Sequence, residues 1–159
     1  MQKEIMRCPS FIYDVICTDS QGQEKWRECV HNLVTNAGKN DIIDKYFKGV
    51  AYNAAWYCGL KAVGNISVND SLASHAGWGE VTPYAGNRLA IAFGATASGS
   101  NTASGVIFAI NATATIAGAF IANAASGTSG VLYSVSDFSV ARSVANGDNL
   151  TITPTISVS

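Results

Sequence analysis

Apolar and polar residues alternate along most of this chain, and the places where they stop alternating mark its other elements. The last segment shows the pattern best: Leu150, Ile152, Pro154, Ile156 and Val158 interleave with Thr151, Thr153, Thr155 and Ser157. A period of two puts each set on its own side of an extended chain and predicts a strand packed on one face only. Pro154 brings no N–H to a ladder, which predicts an edge position or a bulge. The same period in Phe11, Tyr13, Val15 and Cys17 predicts a first strand over residues 11–19. Asp19-Ser-Gln-Gly22 supplies a turn, and the return strand runs from Lys25 to about Val34, closing a hairpin over 11–34. In that register Cys17 lies opposite Trp26 and Cys29 opposite Asp14, so the two thiols do not meet.

Residues 105–123, GVIFAINATATIAGAFIAN, predict a pair of core strands around which the rest is organised. Val106, Phe108 and Ile110 share one side of the first, and Ile116, Phe120 and Ala122 belong to the second. Further strands are expected over 54–62, 80–82, 88–96 and 131–135, and a short strand or bend over 138–143. Gly, Asn, Asp and Ser punctuate them, with loops at 64–71 and 97–104, turns at 127–130 and 146–148, and Trp78 and Tyr84 as anchors.

One stretch follows a helical period. Ile42, Ile43, Tyr46 and Phe47 fall on one helical face, Thr35-Asn36 supplies capping side chains, and Gly49 suits a left-handed stop. The spacing predicts a short α-helix over 36–48 that covers a sheet edge, with Asp41–Lys45 and Asp44–Lys48 pairs on its outer side. Eight to ten strands and one helix imply an all-β fold, an antiparallel β-sandwich of jelly-roll or Greek-key type. Residues 1–10 read as an N-terminal arm and 11–159 as a single domain: hairpin 11–34, helix 36–48, strands 51–159.

Composition sharpens this picture. The chain has 159 residues, enough for one sizeable core, with 13% charged residues and a formal net charge of −1. No nucleic acid or anionic membrane partner is expected from that balance. Of the 21 charged residues, 14 lie in residues 1–48 and 7 in the remaining 111. The last two-thirds is therefore expected to show an almost uncharged surface, either covered by other subunits or built from Ser, Thr and Asn. Met1 to Cys8 has no apolar signal core, and no segment reaches membrane-spanning length, which predicts a chain that begins and stays in a cytosol. Cys8, Cys17, Cys29 and Cys58 lack metal-ligand spacing and read as reduced, mostly buried thiols.

Catalytic chemistry finds no purchase. His31 and His75 sit beside no nucleophile elbow and read as structural hydrogen-bonders. Asp70, Glu80, Asp137 and Asp148 offer four acids with no spacing that favours a glycosidase pair. Gly94 to Gly99 and Gly127 to Gly130 lack phosphate-cradle spacing. Trp56, Trp78 and Tyr84 have the chemistry to stack on a sugar, although core packing is the commoner fate. No catalytic, cofactor-binding or metal-binding residue is assigned, and no enzyme is expected.

HNLVTNAGKNDIIDKYFKG at residues 31–49, followed by Tyr52-Asn-Ala-Ala-Trp56-Tyr-Cys-Gly-Leu60, resembles a family of small tailed-bacteriophage virion proteins. Ser74-His-Ala-Gly-Trp78-Gly-Glu80-Val-Thr82 and Gly127-Thr-Ser-Gly-Val-Leu-Tyr133 extend the similarity over most of the chain from about Phe11. The resemblance implies a capsid decoration or cement protein: a β-sandwich on the outer capsid surface of the virion, assembled in the host bacterial cytoplasm. It would bind the major capsid protein and tie neighbouring subunits together without a cofactor. Capsid-binding residues are not carried over. Closed symmetry among copies, as a homo-dimer or homo-trimer, is the general expectation, and residues 1–10 are expected to order on binding. Two alternatives from other classes are a tail-fibre or tail-associated receptor-binding or adaptor module, using loops 64–84 and 97–104, and a glycan-cleaving enzyme, which would need a paired-acid site that the sequence does not display and which amide substitutions at Glu80 and Asp137 would test.

Overall fold

Tyr13 is wholly buried, and its hydroxyl lies 2.9 Å from the Ser134 hydroxyl, 121 residues further on. That contact joins two antiparallel sheets laid face to face, as the alternating pattern requires. The computed structural model describes residues 9–51 and 54–158. The expected arm, residues 1–10, falls mostly outside them, and Ser10 already belongs to the first strand.

The first sheet contains β1 (Ser10–Thr18), β2 (Glu24–His31), β7 (Ser100–Thr102), β8 (Val106–Ala109) and β11 (Asn149–Ser157). The second contains β3 (Leu33–Val34), β4 (Tyr57–Lys61), β5 (Glu80–Val81), β6 (Leu89–Ala90), β9 (Ala114–Ala122) and β10 (Leu132–Val144). The order is β2-β1-β11-β7 in one, with β8 also on β11, and β3-β10-β9-β4-β5 in the other, with β6 also on β4. The two strands of the central stretch therefore lie in opposite sheets, with the chain crossing at 111–113.

The β1–β2 hairpin turns where expected. Asp19 accepts from the backbone N–H of Gln21 and Gln23, and Gly22 takes the positive φ of 80° that an ordinary side chain resists. The register places Cys17 opposite Trp26 and Asp14 opposite Cys29. The return strand stops at His31, short of Val34, because β3 pairs with Val135 and Ser134 in the other sheet.

Pro154 corrects a second expectation. Its strand is internal and pairs with β1 along its whole length. On the other side, β8 ends opposite Ile152 and β7 begins opposite Thr155, so the proline falls between two short partners. Its carbonyl accepts from Ala103 there, while the ring nitrogen meets no ladder position.

The centre of the second sheet is buried on both faces. Cys58, Leu60, Ala119 and Ile121 face the first sheet, whereas Phe120, Leu132 and Val135 face outward under Leu72 and Trp78 of the 62–79 loop. This explains the unbroken burial of β9 from Ile116 to Ala122, where β1 alternates.

The helix differs most from expectation. Thr35 caps it by accepting from Gly38 N–H at 3.0 Å, but the α-helix α1 covers only Asn36–Ile42 and continues as a π-helical turn, Ile43–Phe47. Gly49 closes the segment with φ 68°. Gly38 packs so tightly on β10 that a Cβ there would come within 2.5 Å of the Tyr133 carbonyl oxygen. Ile42 touches the core, yet Ile43, Tyr46 and Phe47 are 51%, 81% and 68% exposed. Of the predicted apolar face, only Ile42 meets the core, while Ile43, Tyr46 and Phe47 point at solvent and do not cover the sheet. Asp44 and Lys48 pair at 2.7 Å as spaced, and Lys45 donates to the Ala51 carbonyl.

Candidate functional site

Each of the seven charged residues beyond Gly49 is engaged inside the fold. Lys61 is fully buried, 2.6 Å from Asp137 and donating to the Ala62 and Gly64 carbonyls. Arg88 forks onto both Glu80 oxygens at 2.9 and 2.8 Å, reaches the Ala124 and Gly127 carbonyls, and lies over the Phe120 ring. Asp148 holds Lys25 and the Ala145 N–H, Arg142 pairs with Glu28, and Asp70 accepts from Ser67 N–H and the Trp78 indole. Ion pairs and caps absorb these charges, leaving a neutral exterior over the last two-thirds.

That arrangement disperses the sequence's catalytic candidates. Asp70, Glu80, Asp137 and Asp148 each answer to a different cation or donor set. Burial alone would raise the Asp148 carboxyl, but the hydrogen bonds from Lys25 and Ala145 and the Lys25 charge outweigh it and hold the carboxyl below its usual range. His31 stands exposed on β2. His75 stacks on Trp78 at 4.2 Å and donates from Nδ1 to the Trp78 carbonyl, so it fastens a loop. Trp78 and Tyr84 are buried as anchors, while Trp56 is half-buried beside Tyr133. Cys17 and Cys58 are buried free thiols, and burial pushes Cys58 up to about 12. Cys29 is exposed, against expectation, because it shares the outward face of its strand with Arg27 and His31; Cys8 lies outside the described residues. Among the described residues no group of His, Cys, Asp and Glu could hold a metal, and no helix is long and apolar enough to cross a membrane.

Two surfaces stand out. The first is the open face of the first sheet, which among the described residues no loop covers as the 62–79 loop covers the second. The register brings Ile12 beside Thr155, Ile16 beside Thr151, and Thr151 beside Ile107, with the Thr155 and Thr102 hydroxyls 2.9 Å apart. Asp14 interrupts this strip next to Thr153, and Arg27 and His31 edge it on β2. Elsewhere it is flat, uncharged and β-branched, with Ile107 58% exposed.

The second is an open groove of about 540 Å³ between the helical segment and one end of the sandwich. Phe11, Trp56, Phe93, Tyr133 and Ile156 form apolar walls, and Asp41, Lys45 and Tyr46 stand on the helical side. Phe11 meets Tyr133 edge-on at 5.5 Å, so the walls are rigid aromatic packing.

No family model and no curated protein matches this chain. The surfaces themselves must carry the reading. Among the described residues neither contains a paired-acid site or a phosphate cradle, and the Cys29 thiol beside Asp14 on the first face is raised above its ordinary value; both surfaces offer area for contact. Sequence reasoning missed the groove because its walls come from β1, β11 and residues 54–56 and 93–101, far apart in the chain. It also missed the burial of Lys61 and Arg88, whose nearest signals were Gly118 and Glu80.

Proposed function

We propose that this chain is a structural protein of a bacteriophage virion, a head decoration or cement protein that lies on the outer capsid surface and ties major capsid subunits together. The observation that supports this reading is the internal pairing of every charge after Gly49, which leaves an open sheet face whose charge is confined to Asp14 and the β2 edge. Covering such a face strips water from few charged groups, so wide contact costs little desolvation. The Ile12, Ile16, Ile107 and Thr151 strip is the capsid-facing contact in this proposal. The likeness of residues 31–60, 74–82 and 127–133 to small phage virion proteins supports the same assignment.

Quantitative mass spectrometry of purified virions tests it. A copy number comparable with that of the major capsid protein is expected, and Thr151→Lys with Ile107→Glu should abolish rebinding to particles lacking the protein. Absence from mature particles overturns the proposal. A copy number of only a few per particle moves the chain to the tail and overturns the head assignment.

A further inference from the structure

The groove and the exposed helical face form one patch, and Tyr46 belongs to both. Ile43, Tyr46 and Phe47 on the π-helical turn and Val50 just past its Gly49 stop are all exposed, Tyr46 at 81%. Tyr46 and Phe47 meet edge-on at 5.0 Å, forming a projecting aromatic pair. Beside them lies the socket whose walls are Phe11, Trp56, Phe93 and Tyr133. We infer that this patch is where a second copy of the chain docks about a two-fold axis, the Tyr46–Phe47 pair of each copy entering the groove of the other.

Three observations favour a second copy as the occupant. A two-fold interface must be self-complementary, and here projection and socket lie side by side on one surface. Opposite charges, Asp41 and Lys45, stand one helical turn apart on the groove wall. Antiparallel approach centred near Ile43 brings Asp41 of each copy to Lys45 of the other. Area agrees as well: the four exposed side chains present roughly 500 Å² and the groove walls add to it, near the ~800 Å² per partner of a stable interface.

Neither the virion assignment nor the role of the open sheet face enters this inference. Sedimentation velocity of the full chain over a wide dilution series tests it. A reversible dimer is expected, weakened roughly tenfold or more by Tyr46→Glu in the projection and by Val158→Glu, since Val158 also lines the groove beside Ile156. Both positions are exposed, so circular dichroism and the monomer's thermal midpoint should stay unchanged. A wild type that remains monomeric throughout overturns the inference, as does a dimer indifferent to both substitutions.

Discussion

Lys61 and Asp137 meet across Gly118. Lys61 pairs with Gly118 on one side of β9 and Asp137 pairs with it on the other, so a residue without a side chain separates them and the ammonium passes over it to the carboxylate, 2.6 Å away. Lys61 is wholly buried, Asp137 is 43% exposed, and the Trp78 ring lies 5.8 Å from the ammonium. A charged side chain is thereby stored beneath the loop that covers the second sheet.

Removing one partner of such a pair costs more than removing the buried charge itself. Asp137→Asn leaves the ammonium with two carbonyls and should destabilise by about 2 kcal/mol, water access at Asp137 holding the figure below that of a fully buried pair. Lys61→Met, which fills similar volume, should cost about 1 kcal/mol. Urea unfolding midpoints rank the two, and the reverse order would contradict the placement.

Acid should find the Lys25–Asp148 pair. Asp148 titrates below its ordinary value in the folded chain, so its contribution is complete above the unfolded value of about 4 and is lost as pH falls through the lower folded value. Lys25 is raised, chiefly by its hydrogen bond to Asp148, so its share is present below about 10.5 and is lost as pH rises through the higher folded value. Thermal midpoints followed against pH should fall at both ends, and Asp148→Asn should flatten both limbs.

Thiol labelling should separate the cysteines by burial. Cys29 is expected to react in the native protein, faster with rising pH because desolvation, followed by Asp14, raises its thiol. Cys17 and Cys58 are expected to react only on unfolding. Peptide mass mapping after a maleimide pulse reads each site, and native labelling of Cys58 would contradict its placement.

Phe120 occupies the space that Gly59 leaves empty, since a Cβ at Gly59 would fall 2.3 Å from its ring. Gly59→Ala should cost about 1–3 kcal/mol by overpacking, and Gly59→Ala with Phe120→Leu less than the sum of the two singles. A double-mutant cycle in denaturant measures that coupling.

Much of the sandwich was legible locally. Phe11, Tyr13, Val15 and Cys17 point inward as their period demands, and the hairpin register of Cys17 and Cys29 follows from the turn at Asp19 to Gly22. Alternation succeeds wherever one face meets the core and the other meets water. It fails for β9 and β10, whose long burial reflects a loop folded over the outer face. The strand expected over 88–96 shrank to Leu89–Ala90 with an isolated bridge from Phe93 to Ala103, since its neighbours are too short to sustain a ladder.

The functional surfaces divide differently. Charge counting alone pointed to a neutral exterior after Gly49, because a count along the chain needs no knowledge of contacts. Which cation each acid would meet, and that Ile43, Tyr46 and Phe47 would face outward, depended on segments that approach only in three dimensions. Helical period identifies an apolar face but not the neighbour that covers it; here Gly38 seats the first turn against Tyr133 and Ile42 meets the core, while Ile43, Tyr46 and Phe47 stay exposed.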